Sequence, residues 1–124
     1  ISNQGTTTYG TPAVLTDVQT SMTVVCKEVF GPVVSLMPYD DVDAVFEQAN
    51  ATPYGLQAGL YTNSLDLMLK AARRLRFGGL NVNAPSRWRL DNMPYGGVKR
   101  SGIGREGPKY AIEDMSELRQ LVIG

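Results

Sequence analysis

This 124-residue sequence predicts an α/β fold, a mostly parallel sheet with flanking helices. Three observations lead there. Short β-branched, apolar runs alternate with helix-length segments whose apolar residues recur at the 3.6-residue period. The run Val33 to Tyr39 is almost continuously apolar, as a parallel strand covered on both faces would be. The order strand, helix, strand, helix, strand is the βαβ pattern, for which right-handed crossovers are expected.

Residues 1–11 are rich in Ser, Asn, Thr and Gly, have almost nothing to bury, and read as a flexible lead-in. Ala13-Val14-Leu15 marks a short strand before Asp17, and Met22 to Val25 continues toward Cys26 with β-branched character. Val33 to Tyr39 is the stronger strand. Asp40 or Asp41 then caps a helix with Val42, Val45, Phe46 and Ala49 on one face, which Asn50 and Pro53 end. Gln57 to Thr62 is a strand, and Asn63 caps a second helix with the stripe Leu65, Met68, Leu69, Ala72 and Leu75. Arg73, Arg74 and Arg76 lie near its C-terminus, where the helix dipole favours cations. Gly78 stops that helix, and Leu80 to Asn83 follows as a strand. A third helix starts after Gly107, with Pro108 in its first turn and Tyr110, Ala111 and Met115 facing inward. Ser116 and Glu117 end it, and Leu118 to Ile123 is a strand-like apolar tail. The expected organisation is a lead-in (1–11), a body (12–117) and a terminal strand (118–124).

Hydrophobic residues at 43% and charged residues at 19% are values of a globular chain. Twelve basic against twelve acidic residues leave no net charge to draw the chain to nucleic acid or to a membrane surface. No run approaches the roughly 18 apolar residues of a membrane span. The single cysteine cannot form an internal disulfide, so a reducing, cytoplasmic setting is expected. Histidine is absent. That removes the commonest general base, the usual zinc ligand and any Ser-His or Cys-His pair, so no metal site and no self-contained catalytic constellation are expected.

Met93 to Gly107 holds five glycines in a segment too irregular for a packed helix or strand. Glycine is used where φ is positive or where main chain approaches another group closely, so this is a shaped loop and a candidate wall of a site. Gly102-Ile103-Gly104-Arg105-Glu106-Gly107 also spells GxGxxG, but no strand immediately precedes it and no acid follows at about 20 residues, as a dinucleotide site requires. The match is a coincidence. Cys26, beside Val24 and Val25 with no base nearby, reads as a buried small hydrophobe rather than a nucleophile. Glu28 precedes Val-Phe-Gly-Pro at a sharp turn after a strand. It is either a ligand-facing acid at the sheet edge or a solvated turn carboxylate. Arg87, Trp88 and Arg89, at the start of a long loop, are candidates for binding a small anion by fork-like hydrogen bonds, or are ordinary surface residues.

Lys27-Glu28-Val29-Phe30-Gly31-Pro32, Asn50-Ala51-Thr52-Pro53-Tyr54-Gly55-Leu56 and Pro94-Tyr95-Gly96-Gly97-Val98-Lys99-Arg100-Ser101-Gly102 together resemble the NAD(P)-dependent aldehyde dehydrogenase superfamily, in order and spacing. The resemblance runs from about Thr11 to the C-terminus and corresponds to roughly the last quarter of a family member: the C-terminal part of the catalytic domain and the terminal oligomerisation strand. It implies that Glu28 holds the nicotinamide ribose hydroxyls of NAD or NADP and that Phe30 packs beside the nicotinamide. Tyr95 falls on the aromatic of the aldehyde pocket, and Trp88 and Arg89 fall in the loop that varies with substrate. Arg87 to Tyr95 and Gly107 to Ile112 look most like members acting on small acidic or hydroxylated aldehydes, such as lactaldehyde, glyceraldehyde 3-phosphate or phosphonoacetaldehyde. The family's nucleophilic cysteine, general-base glutamate and oxyanion asparagine match no residue here. The chain alone is therefore expected to be inactive, with Leu118 to Ile123 joining a homo-oligomer. The alternative is a noncatalytic oligomerisation module or pseudoenzyme of the same fold.

Overall fold

The structure is a computed structural model and describes residues 10–124. The lead-in expected over residues 1–11 lies, up to residue 9, outside the described residues. The chain divides into two compact units, one ending at Ala44 and one beginning at Val45.

In the first unit, β1 (Ala13–Leu15) pairs in parallel with β2 (Val33–Ser35), in the register Ala13 to Val33 and Leu15 to Ser35. Between them the sequence predicted more strand at Met22 to Val25, but the chain forms a single helical turn, α1 (Thr23–Cys26). Asp17 at φ 56° breaks the extended run, and the amides of Met22, Cys26 and Lys27 find acceptors locally on Gln19, Met22 and Thr23. With no third strand beside it among the described residues, β-branched preference yields to these local bonds. The turn also leaves Cys26 exposed, its Sγ donating to Thr20 O at 3.0 Å, which corrects the expectation of a buried thiol. β2 itself is three residues long, shorter than the run to Tyr39.

Helix α2 (Val42–Asn50) begins as expected, with Asp41 Oδ1 accepting the Asp43 amide at 2.9 Å and Phe46 buried. In the second unit, β3 (Gln57–Leu60), α3 (Leu65–Arg74) and β4 (Gly79–Val82) form one βαβ unit with parallel strands in the register Gln57 to Gly79 and Leu60 to Val82. Among the described residues the parallel strands thus form two pairs, β1 with β2 and β3 with β4. Ser64 rather than Asn63 caps α3, its Oγ accepting the Leu67 amide at 3.3 Å. The inward face of α3 also differs from the predicted stripe: Ala71 is buried, Leu67, Met68 and Leu75 are half-buried, and Leu65, Leu69 and Ala72 are exposed. The helix is apolar on two sides, and periodicity alone does not say which one this chain covers.

Gly78 lies beyond the end of α3, and its requirement for glycine is contact. A Cβ there would stand 1.7 Å from Gly96 O. At the end of β4, Asn83 takes φ 56°, a region Asn tolerates, and exchanges side-chain bonds with Thr62: its Oδ1 accepts the Thr62 amide at 2.9 Å and its Nδ2 donates to Thr62 O at 3.0 Å. The chain thereby leaves the sheet into the 84–93 loop at a fixed point. Helix α4 (Pro108–Asp114) starts at Gly107 with Pro in its first turn; Tyr110 and Ala111 are half-buried, but Met115 is 81% exposed, contrary to expectation. Leu118 to Ile123 is in neither helix nor strand, because a strand exists only as part of a ladder and this segment joins none among the described residues.

Candidate active-site wall and cofactor contact

Three segments distant in sequence are stitched together in the second unit. Gly55, buried, accepts the amides of Gly78 at 2.9 Å and Val98 at 3.0 Å, and donates its own amide to Ser101 Oγ at 2.8 Å. Lys99 Nζ donates to the carbonyls of Asn50, Thr52 and Tyr54 at 3.0, 3.1 and 3.3 Å. Asn50 in turn ties the end of α2 to that of α3, donating to Arg74 O and accepting the Arg76 amide, both at 2.8 Å. The glycine-rich loop is therefore anchored to the 50–56 turn, and its glycines let the loop fold closely on itself, a Cβ at Gly96 or Gly97 meeting Gly104 O or Ser101 within 2.6 Å. A short 3₁₀ turn, Lys99–Ser101, precedes Gly102, so GxGxxG follows no strand here.

Beside β4 this loop and the 84–93 loop border a half-open cavity of about 380 Å3, lined in part by Asn81, Trp88, Arg89, Met93 and Tyr95. Arg89 Nη1 donates to Glu106 Oε2 at 2.8 Å, and its guanidinium carbon lies 4.1 Å from the centroid of the Tyr95 ring. Tyr95 and Glu106 exchange backbone hydrogen bonds, 3.2 Å from the Tyr95 amide and 2.6 Å from the Glu106 amide. Ring and carboxylate are thus brought to one place by main chain, and the cation joins them through its side chain. The hydrogen bond to Glu106 raises the pKa of Arg89 further, outweighing desolvation, with the charge of Glu106 adding to it. Of the predicted residues, Trp88, Arg89 and Tyr95 come together on this cavity, and Arg87 does not line it.

Sequence reasoning passed over Asn81. Its Nδ2 donates to the carbonyls of Pro85 at 2.9 Å, Ser86 at 3.3 Å and Trp88 at 2.9 Å, so one amide in β4 shapes the loop that carries Trp88 and Arg89. The signal was a polar residue between Leu80 and Val82 inside an apolar strand.

In the first unit, Glu28 and Phe30 lie in the segment leading to Gly31 and Pro32, where the Gly31 amide bonds Val29 O at 3.0 Å. Phe30 is 93% exposed and Glu28 is exposed. An acceptor and an apolar ring offered to solvent two residues apart are groups of the kind that pair with the hydroxyl donors of a ribose diol and with a flat heterocycle. No helix among the described residues is long and apolar enough to cross a membrane.

Residues 2–121 match the profile of the aldehyde dehydrogenase family. The chain is 54% identical over 112 residues to the 3-sulfolactaldehyde dehydrogenase of Priestia megaterium, an alignment covering 90% of this chain and 24% of that protein. It is 47% identical over 96 residues to the lactaldehyde dehydrogenase of Methanococcus maripaludis, covering 77% and 21%. Among solved structures, aldehyde dehydrogenase 21 of Physcomitrella patens in complex with the reaction product succinate superposes with a TM-score of 0.81 at 42% identity, covering 84% of this chain and 22% of that one. The glyceraldehyde-3-phosphate dehydrogenase GapN of Methanocaldococcus jannaschii complexed with NADP gives a TM-score of 0.80 at 42% identity, covering 86% and 23%. The chain thus spans about a quarter of the length of the relatives it matches.

Proposed function

Because the chain belongs to the aldehyde dehydrogenase family, we propose that it forms the C-terminal part of the catalytic domain of an enzyme that oxidises a small, anionic aldehyde to its carboxylic acid with NAD or NADP. The observation that carries the substrate reading is the cavity beside β4, on which one cation, Arg89, and two aromatic side chains, Trp88 and Tyr95, converge. An apolar wall with one charged group at a fixed point suits a short carbon chain bearing an anionic end. The names of the relatives support the same class: 3-sulfolactaldehyde is a sulfonate, and succinate, bound in the Physcomitrella enzyme, is a dicarboxylate.

In this reading Trp88 and Tyr95 exclude water from the substrate chain, and Arg89 takes its anionic end. Asn81 holds the loop that places both Trp88 and Arg89. NAD or NADP, when bound, supplies the hydride acceptor. Glu28 would accept hydrogen bonds from the nicotinamide ribose hydroxyls, and Phe30 would pack beside the ring, so the two orient the cofactor. The stretch supplies walls and a cofactor contact, not the nucleophile, and is inactive alone. Leu118 to Ile123 pairs with another subunit in a homo-oligomer.

The substrate reading is tested in the complete enzyme by comparing kcat/KM for an ω-carboxylate aldehyde with that for its carboxamide isostere. Alanine at both Arg87 and Arg89 should lower the anionic-to-neutral ratio at least about tenfold, since a hydrogen bond to a charged group is lost. An unchanged ratio would refute an anion site here.

A further inference from the structure

Arg89 stands between two hollows. One is the cavity of about 380 Å3 shared with Trp88 and Tyr95; the other, of about 340 Å3, is lined by Glu106, Gly107, Pro108 and Ala111 on its far side. Arg89, Met93 and Tyr95 line both and form the partition. The guanidinium is engaged from the second side, by Glu106 Oε2 at 2.8 Å. An anion entering the first cavity therefore meets a cation already balanced by a carboxylate, and is repelled by that carboxylate as well. The pair is nevertheless open to water, with side-chain exposures of 40% for Arg89 and 68% for Glu106. Exchange of one anionic partner for another at such a pair costs little.

Resting on the reading that Arg89 receives the substrate's anionic end, we propose that Glu106 is a built-in competitor for that guanidinium and sets how strongly the pocket prefers anionic over neutral aldehydes. A neutral aldehyde binds with the Arg89–Glu106 pair intact. An anionic one binds by taking the guanidinium from Glu106, whose carboxylate moves into water. Glu106 is thus a positioning residue that acts through Arg89. Its main chain is fixed to Tyr95, so the side chain remains within reach and closes on Arg89 again when the anion leaves.

The test is a double-mutant cycle in the complete enzyme, using the carboxylate aldehyde and its carboxamide isostere as the two substrates. Glu106→Gln should raise the anionic-to-neutral ratio of kcat/KM by about threefold to fivefold, the range of an exposed ion pair. The gain should fall on KM for the anionic substrate, since the chemical step is common to both and cancels in the ratio. In an Arg89→Ala background the same substitution should bring a clearly smaller gain, because only the direct repulsion between the Glu106 carboxylate and the anion is then relieved. A silent Glu106→Gln in an enzyme where Arg89→Ala does lower the ratio would overturn the competitor and leave the anion site standing. An equal gain with and without Arg89 would also overturn it, because Glu106 would then act as a bare charge. A ratio unmoved by Arg89→Ala alone would instead refute the underlying substrate reading. Should Glu106→Gln fail to fold, Glu106→Asp, one methylene too short to hold the same contact, should raise the ratio by a smaller step; no rise would count against the proposal in the same way.

Discussion

Replacing Lys99 by Met tests how the glycine-rich loop is held, because a single ammonium there serves three carbonyls. Its Nζ donates to Asn50, Thr52 and Tyr54 at 3.0 to 3.3 Å and lies 5.4 Å from the centroid of the Phe77 ring. The backbone of Lys99 has φ 58°, a conformation that costs a residue with a Cβ about 1 to 2 kcal/mol, so the tether has to outweigh local strain. Hydrogen bonds to a charged group contribute about 1.5 to 3 kcal/mol each, but Lys99 is exposed and water replaces much of what it gives. A net loss of about 1.5 kcal/mol is therefore the working figure, close to a tenfold rise in local opening. The reporting amides are those of Val98 and Arg100, bonded to Gly55 O and Pro53 O at 3.0 Å each. Hydrogen exchange in the complete enzyme should be about tenfold faster there in Lys99→Met than in the wild type. Lys99→Gly loses the same bonds but relieves the strained φ, so its exchange should fall between the two. Wild-type exchange rates in Lys99→Met would show that the ammonium does not hold the loop.

Two further predictions concern the ends of the chain's proposed role. Glu28→Gln in the complete enzyme should slow hydride transfer in single-turnover measurements by up to about 100-fold, because a misplaced cofactor costs rate more than affinity; unchanged transfer would refute the ribose contact. Deleting the residues after Glu117 should shrink the oligomer seen by light scattering over a range of concentrations, since Leu118, Leu121, Val122 and Ile123 are 77% to 107% exposed in the single chain and each would gain about 1.5 to 3 kcal/mol on burial. A monomeric parent, or an oligomer indifferent to the deletion, would rule the tail out as the contact.

What the sequence made legible was whatever a local rule decides. The βαβ unit from Gln57 to Val82 followed from period and punctuation, and α2 followed from Asp41 and a single apolar face. Local rules failed where partners decide. Met22 to Val25 had strand character but no neighbouring strand, and became a helical turn. α3 had two apolar sides, so the predicted stripe of Leu65, Met68, Leu69, Ala72 and Leu75 held at Met68 and Leu75, while the chain covers Leu67 and Ala71 in place of Leu65, Leu69 and Ala72. Gly78 was read as a helix stop, a local role, when its need is the approach of Gly96 O from 18 positions downstream. The candidate site divides in the same way. Trp88, Arg89 and Tyr95 were visible by type and by resemblance, whereas Asn81 and Glu106 matter only through contacts four to 17 residues away along the chain.

The apolar surface left open in the single chain carries the same logic into assembly. Phe46 and Ala71 are the buried hydrophobic residues among those described, far fewer than a stable domain of this length would hold. The open residues are not scattered. In β1 and β2, Val14 is 62%, Val33 37% and Val34 51% exposed. Val33 and Val34 are successive residues of one strand and point to opposite faces, so both faces of that pair lack cover. A strand apolar on both sides is the composition of a buried parallel sheet, which requires layers on either face. On α3, Leu65 and Leu69 repeat the pattern, one turn apart on a side this chain does not cover. These surfaces fit the proposal that further chain of an aldehyde dehydrogenase covers them, since the relatives are about four times as long as the segment they share with this one. The cavity beside β4 depends on this chain's own hydrogen bonds instead. Asn81, Lys99 and the Tyr95–Glu106 bridge fix its loops from within the second unit, so the geometry on which the proposed substrate preference depends is set locally.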